Sequence, residues 1–294
     1  MRPTGDPLLE VRGLTRRRDP ARRGGVATHS VRDVSFSLGR GERVGLLGLN
    51  GAGKSTTLDM LAGCLVPDAG DVRVGGHDLA DAPLEARALL GYLPDRPPVV
   101  DDMRVDAYLA LAARLRRVPR ARARAAADAA IDECALGEVR RQRIGTLSKG
   151  YRQRVGIAQA IVHRPALVLL DEPGSGLDPR QSEALRALVR RLGEGAAVIF
   201  STHLLAEVRE TCDRILVMHR GTLVADRRLG DGAPDGDGSD GSDDGEDIES
   251  LFARLVADAP PISFAGEPVA GGAVAGAPGA GGPDGGGADG RRAA

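Results

Sequence analysis

The segment Gly48-Leu49-Asn50-Gly51-Ala52-Gly53-Lys54-Ser55 satisfies every fixed position of G-x-x-x-x-G-K-[ST]. Its glycines let successive backbone N–H groups turn toward one anion without a Cβ in the way. Ser55 offers a hydroxyl to Mg²⁺, and Thr56 can hydrogen-bond a phosphate. The chain writes 38 of its 40 side-chain cations as arginine, and Lys54 is one of only two lysines. A compact ammonium on a thin stem reaches between the β- and γ-phosphates of a nucleotide, where the planar fork of arginine is bulkier and differently directed. The other lysine, Lys149, lies in Leu147-Ser148-Lys149-Gly150-Tyr151.

A second constellation is Leu167-Val168-Leu169-Leu170-Asp171-Glu172-Pro173. Two adjacent carboxylates at the exit of a buried strand raise each other's pKa and pack poorly. A bound Mg²⁺ removes that conflict: Asp171 orients the metal shell and Glu172 is left to polarise an attacking water.

These residues need a scaffold, and the patterning supplies one. Residues 8–13 and 31–38 alternate apolar and polar as half-buried strands do, with an Arg-rich stretch over 16–25 that reads as a loop. Residues 42–47 form a short apolar run entering the glycine turn, and Leu58, Leu61 and Leu65 give the following segment, Ser55 to Leu65, helical spacing. Strand, glycine turn and helix are the context the phosphate loop requires. Residues 104–135 predict two helices separated by Pro119, carrying a strip of Arg114, Arg116, Arg117, Arg120, Arg122 and Arg124. Such a strip is either a solvated helix face or a contact for anionic lipid headgroups. Ser148 is placed to cap a helix running to Val162. Residues 166–170 and 196–200 read as buried parallel strands around a helix over 183–192, and a hairpin over 215–224 follows. Alternating strands and helices predict an α/β fold, a parallel sheet with helices on both faces. Beyond it, residues 226–246 read as an acidic Gly/Asp/Ser linker, 247–257 as one short helix, and 258–294 as a tail too poor in apolar surface to fold.

Composition excludes several classes. A net charge of −1 over 294 residues gives no global attraction to nucleic acid or anionic lipid. Hydrophobic residues make up 42% but aromatics only 2%, so the core is built of Ala, Val, Leu and Ile. Cys64, Cys134 and Cys212 are far apart and outside any C-x-x-C spacing, as expected of reduced, mostly buried thiols in a cytosolic protein. No apolar run approaches the roughly 18–20 residues that span a bilayer, and Met1 to Asp6 lacks a secretory signal, so the expectation is a soluble, cytoplasmic chain.

With Asp171-Glu172-Pro173-Gly174-Ser175-Gly176-Leu177-Asp178 and Ser201-Thr202-His203, the Ser148 segment closely resembles the ATP-binding subunit of ABC transporters. The resemblance covers about residues 8–225, with the motifs in the right order. It is nearest to the ABC-2 type exporter group, where Leu-Ser-Lys-Gly-Tyr replaces Leu-Ser-Gly-Gly-Gln. It implies a P-loop NTPase core of RecA-like type with a mostly parallel sheet, an N-terminal antiparallel β subdomain and a helical subdomain inserted at about 96–160. It implies that ATP with Mg²⁺ is bound and hydrolysed between two cassettes, a homodimer in the simplest case. Ser148 and Gly150 would contact the γ-phosphate held by the opposite subunit, Asp178 would couple the two sites, and His203 would hold the γ-phosphate and the attacking water. The partner it implies is a separately encoded integral-membrane permease, with the chain peripheral on the inner face of the cell membrane and no nucleic acid bound.

Two positions depart from the family pattern. Asp95 stands where family members carry Gln or Glu, and its shorter stem reaches Mg²⁺ more readily through water than directly. The segment Leu14-Thr15-Arg16-Arg17-Arg18 lacks the aromatic residue that stacks on adenine, leaving Arg18 or His29 as candidates to lie over the base. Competing classes fit less well. The chromosome and DNA-repair ATPases that share this nucleotide sandwich insert a long coiled coil between the phosphate loop and the signature segment, and no heptad run separates Lys54 from Ser148. Soluble translation-type ABC proteins usually carry two cassettes in one chain. A GTPase would need Asn-Lys-x-Asp, which neither lysine supplies.

Overall fold

The computed structural model describes residues 6–18, 28–229 and 248–257. A six-stranded sheet has the order β10-β9-β3-β8-β7-β6, and a four-stranded sheet the order β2-β1-β4-β5. The larger one contains β3 (Arg43–Leu47), β6 (Leu90–Leu93), β7 (Leu167–Leu170), β8 (Ala197–Thr202), β9 (Arg214–His219) and β10 (Thr222–Arg228). All its neighbours run parallel except β9 and β10, which form an antiparallel hairpin. The smaller sheet is antiparallel, built from β1 (Leu9–Arg18), β2 (Thr28–Leu38), β4 (Ala69–Val74) and β5 (His77–Asp78).

Alternation along the buried strands sorts the core. Val168, Leu170, Val198, Phe200, Ile215 and Val217 join one apolar cluster with the helices α3 (Val105–Leu115), α4 (Arg120–Glu133), α5 (Lys149–Ile161), α6 (Pro179–Gly193) and α7 (Leu205–Thr211). Leu167, Leu169, Ala197, Ile199, Leu216 and Met218 face the other way, against α1 (Lys54–Leu61) and the four-stranded sheet. The central strands β7 and β8 are buried at every position because both faces are covered. A short helix, α2 (Pro83–Ala88), precedes β6. The expected C-terminal helix is α8 (Ile248–Ala257); its Leu255 belongs to the first cluster, Ile248 and Phe252 pack against it, and Glu249 pairs with Arg209 at 2.7 Å.

Several expectations shift. The Arg-rich stretch read as a loop from residue 16 is strand through Arg18, because antiparallel pairing continues through Arg16–Val31, Arg17–His29 and Arg18–Thr28. Helix α1 stops at Leu61, capped by Ala62, rather than running to Leu65. Helix α6 starts at Pro179, four residues before the expected point, since Asp178 caps it by accepting from Gln181 N–H at 2.9 Å. Strand β10 continues to Arg228. The rest of the expected linker, 230–246, and the tail 258–294 lie outside the described residues. All three cysteines are free; Cys134 and Cys212 are buried but Cys64 is exposed. Among the described residues no helix is long and apolar enough to cross a membrane.

Candidate nucleotide site

The phosphate loop leaves β3 and turns into α1 through Gly53 at φ 105°, in the left-handed region. A Cβ there would stand 2.5 Å from the Ser30 carbonyl oxygen, so glycine is required by both conformation and space. At Gly48 a Cβ would meet the Met218 carbonyl oxygen at 2.5 Å. The loop is fixed to its surroundings by Gly48 N–H donating to Thr202 O (3.3 Å) and Gly221 N–H donating to Ala52 O (2.9 Å). Helix α1 then points its N-terminus, with first-turn N–H groups that have no acceptor within the helix, toward the cleft.

That cleft has a volume of about 330 Å³ and is lined by Asn50, Gly51, Gly53, Lys54, Ser55, Thr56, Asp95, Glu172 and His203. Ser30 and Ser175 complete it, and neither was singled out from sequence. Of the other loop residues, Ala52 is buried and, like Gly48, serves the loop's own geometry through the contacts above. Leu49 accepts at its carbonyl from Ala52 N–H (3.0 Å) and from the Lys54 ammonium (3.3 Å).

Lys54 is only 5% exposed. Its Nζ donates to Gly48 O at 2.7 Å and lies 3.1 Å from Glu172 Oε1. The second oxygen of Glu172, Oε2, is 3.1 Å from His203 Nδ1. A carboxylate only accepts, so Nδ1 is the donor in this contact. Glu172 itself sits at φ 43°, a left-handed backbone that a non-glycine residue adopts only when its surroundings hold it there.

Ser201 is what holds it. Register Leu170↔Phe200 between β7 and β8 brings Asp171 and Ser201 side by side one step further on. The fully buried Ser201 Oγ donates to Asp171 Oδ1 at 2.6 Å and accepts from Glu172 N–H at 2.8 Å. The next residue, Thr202, donates to Glu207 Oε2 at 2.7 Å and accepts from Leu204 N–H at 3.1 Å. The Ser201-Thr202-His203 run is thus anchored at all three side chains.

Asp171 is 2% exposed. Burial pushes its carboxyl above the usual range, hydrogen bonds from Ser201 and Ser55 oppose the shift, and the negative charges of Glu172 and Asp95 add to it. The buried Asp171 carboxylate, with the Ser55 hydroxyl and Asp95 lining the cleft, is a hard-oxygen donor set suited to Mg²⁺. Among the described residues no cluster of three or more His, Cys, Asp or Glu forms a closed metal cage.

Ser148, Gly150 and Asp178 are not in this cleft. Ser148 caps α5 by accepting from Tyr151 N–H at 3.4 Å. A Cβ on Gly150 would stand 2.3 Å from Gln181 Oε1, and one on Gly176 would stand 2.4 Å from Lys149 Nζ. The signature segment therefore rests against the start of α6 and the turn before it. Of the two adenine candidates, the side chains of Arg18 and His29 lie outside the described residues.

A phosphate loop, a strand-end carboxylate pair and a histidine meeting on a mostly parallel sheet define a nucleotide-binding α/β cassette. Residues 31–175 match the family model described as ABC transporter. The chain is 38% identical over 194 residues to the uncharacterized ABC transporter ATP-binding protein YxlF of Bacillus subtilis, covering 66% of this chain and 64% of that one. It thus spans less than two thirds of that relative's length. It is 36% identical over 197 residues to the ABC transporter ATP-binding protein NatA of the same species, covering 66% and 80%. A solved ATP-binding subunit of an ABC transporter superposes with a TM-score of 0.66 at 34% identity, covering 76% of this chain and 90% of that one. The chain belongs to the family of ABC transporter ATP-binding proteins.

Proposed function

We propose that this chain binds ATP with Mg²⁺ and hydrolyses it to drive a separately encoded membrane permease of an exporter. The observation that carries the reading is the convergence of Lys54, Ser55, Thr56, Asp95, Glu172 and His203 on one cleft. Loop N–H groups, the α1 N-terminus and the Lys54 ammonium surround the β- and γ-phosphates, where negative charge spreads during phosphoryl transfer. Mg²⁺, held by Ser55 and Asp171 with Asp95 near through water, would neutralise phosphate charge. Glu172 accepts the proton of the attacking water and His203 orients that water and the γ-phosphate.

The same cleft lacks any contribution from Ser148, Gly150 or Asp178, which supports a second copy of the chain completing it. In that arrangement the N-terminus of α5 presents Ser148 and Gly150 to the partner's γ-phosphate, and Asp178 lies in the turn linking the two sites. The permease places the complex on the cytoplasmic face of the membrane. The Leu-Ser-Lys-Gly-Tyr form of the signature supports an exporter of the ABC-2 type.

The test is sedimentation of the full chain with and without MgATP, on the wild type and on Glu172→Gln. The expected result is ATP turnover by the wild type, and an MgATP-dependent dimer that persists in the variant. Absence of ATP binding would sink the reading. Co-purification with a neighbouring protein of about six spans would identify the permease.

A further inference from the structure

We propose that the outer end of the α3–α4 hairpin docks on an anionic bilayer surface. Arg114, Arg117, Arg120, Arg122 and Arg124 are all exposed there, and among the described residues the guanidinium groups of these five make no ion pair or hydrogen bond. No acidic residue occurs between Asp106 and Asp128 in the sequence, and both flanking acids are committed, Asp106 to Arg104 at 2.6 Å and Asp128 to Arg140. The sixth arginine of the strip behaves differently. Arg116 turns inward and donates to the Leu90 carbonyl at 3.3 Å, so it leaves the exposed set. The remaining positive charge is local, because the whole chain carries a net −1.

The centre of this cationic tip is apolar. Leu115 is 74% exposed, flanked by Arg114 and, two residues on, Arg117. An exposed leucine flanked in sequence by arginines with aliphatic stems matches the boundary between headgroups and acyl chains, where the stems lie along apolar surface and the heads reach phosphate. Nucleic acid fits less well. The hairpin shows no exposed aromatic side chain for base stacking; Tyr108, its one aromatic residue, is buried and donates to Pro98 O at 2.7 Å. A protein partner would be expected to find a larger apolar centre than one leucine.

The tip is remote from the nucleotide chemistry. Leu90, which Arg116 contacts, is the first residue of β6, whereas Asp95 lies two residues beyond its last. Docking therefore requires neither ATP nor a permease, and it stands or falls separately from the hydrolytic reading.

The experiment is co-sedimentation of the full chain with vesicles of phosphatidylcholine alone, and with vesicles in which about a third of the lipid is phosphatidylglycerol. Binding is expected to the anionic vesicles only, weakening as salt shortens the range of the attraction. The triple variant Arg114→Glu, Arg120→Glu, Arg124→Glu should bind about tenfold or more weakly. Leu115→Ser should weaken binding severalfold at unchanged charge. Both should keep wild-type ATP turnover, and the same triple change to Gln serves if charge reversal disturbs folding. A control triple, Arg17→Glu, Arg32→Glu, Arg40→Glu, alters the net charge equally at exposed positions of other elements and should bind as the wild type does. No binding to anionic vesicles, equal binding to neutral ones, or equal loss in the control would overturn the proposal. So would hairpin-dependent binding of polyuridylate RNA without vesicle binding.

Discussion

Glu172 Oε1 lies 3.1 Å from Lys54 Nζ, so the residue proposed to activate water also neutralises the ammonium proposed to grip phosphate. A triphosphate entering the cleft competes for that same ammonium. Glu172→Gln removes the competing charge as well as the base. It should lower ATP turnover by about 10²-fold or more. ATP affinity should stay the same or tighten, because Lys54 no longer has a carboxylate to leave. Steady-state hydrolysis and equilibrium nucleotide binding check the two halves, and weakened binding would contradict the role given to the ion pair.

Lys54→Arg tests size rather than charge. The ammonium fits a 5% exposed niche between Gly48 O at 2.7 Å and Leu49 O at 3.3 Å. A guanidinium cannot reproduce both contacts without pushing the loop outward. Turnover should fall by about 10²-fold or more even though the charge is kept. Wild-type turnover in this variant would show that reach between phosphates does not depend on a compact head.

Ser201 acts through its neighbours. Ser201→Ala strips a hydrogen bond from the buried Asp171 and leaves the Glu172 N–H without its acceptor, which should cost about 1–3 kcal/mol of stability. The left-handed turn at Glu172 then relaxes and displaces its carboxylate. A roughly 10- to 100-fold fall in kcat is expected, with the KM for ATP little changed. An equal loss in KM would make Ser201 part of nucleotide binding instead.

Local chemistry was the legible part of this chain. The phosphate loop, the Asp171-Glu172 pair and the Ser148 cap each depend on residues close in sequence, and the resemblance they carry extends to the cassette fold. What escaped depends on long-range pairing. Ser201 gains its role only because β8 lies beside β7 in register with Asp171, thirty positions earlier. Arg16 to Arg18 looked like loop because polarity outweighed a pairing that only β2 could supply. Ser30 lines the cleft because β2 passes under Gly53, a closeness that neither segment records by itself. Arg116 was grouped with its exposed neighbours, although its guanidinium answers a carbonyl on a distant strand.

That carbonyl also binds a histidine, which makes the fold sensitive to acid. His163 Nε2 lies 3.0 Å from Leu90 O, while Nδ1 is buried with no hydrogen-bond partner. The carbonyl can only accept, so Nε2 carries the proton of the neutral ring. Protonating Nδ1 would add a buried charge beside Arg116 with no acceptor to meet it. Burial, with Arg116 adding to it, pushes the His163 pKa down from 6.5 to about 4. The unfolded chain therefore takes up this proton first, so stability is fully present above about pH 6.5 and is lost progressively as pH falls toward 4. Allowing for partial exposure, the contribution lost between about pH 7 and pH 5 should be roughly 1–2 kcal/mol. His163→Gln keeps a donor for Leu90 O but cannot titrate. Urea unfolding at the two pH values should show the wild type losing that much more stability than the variant, and parallel losses in both would place the acid sensitivity elsewhere.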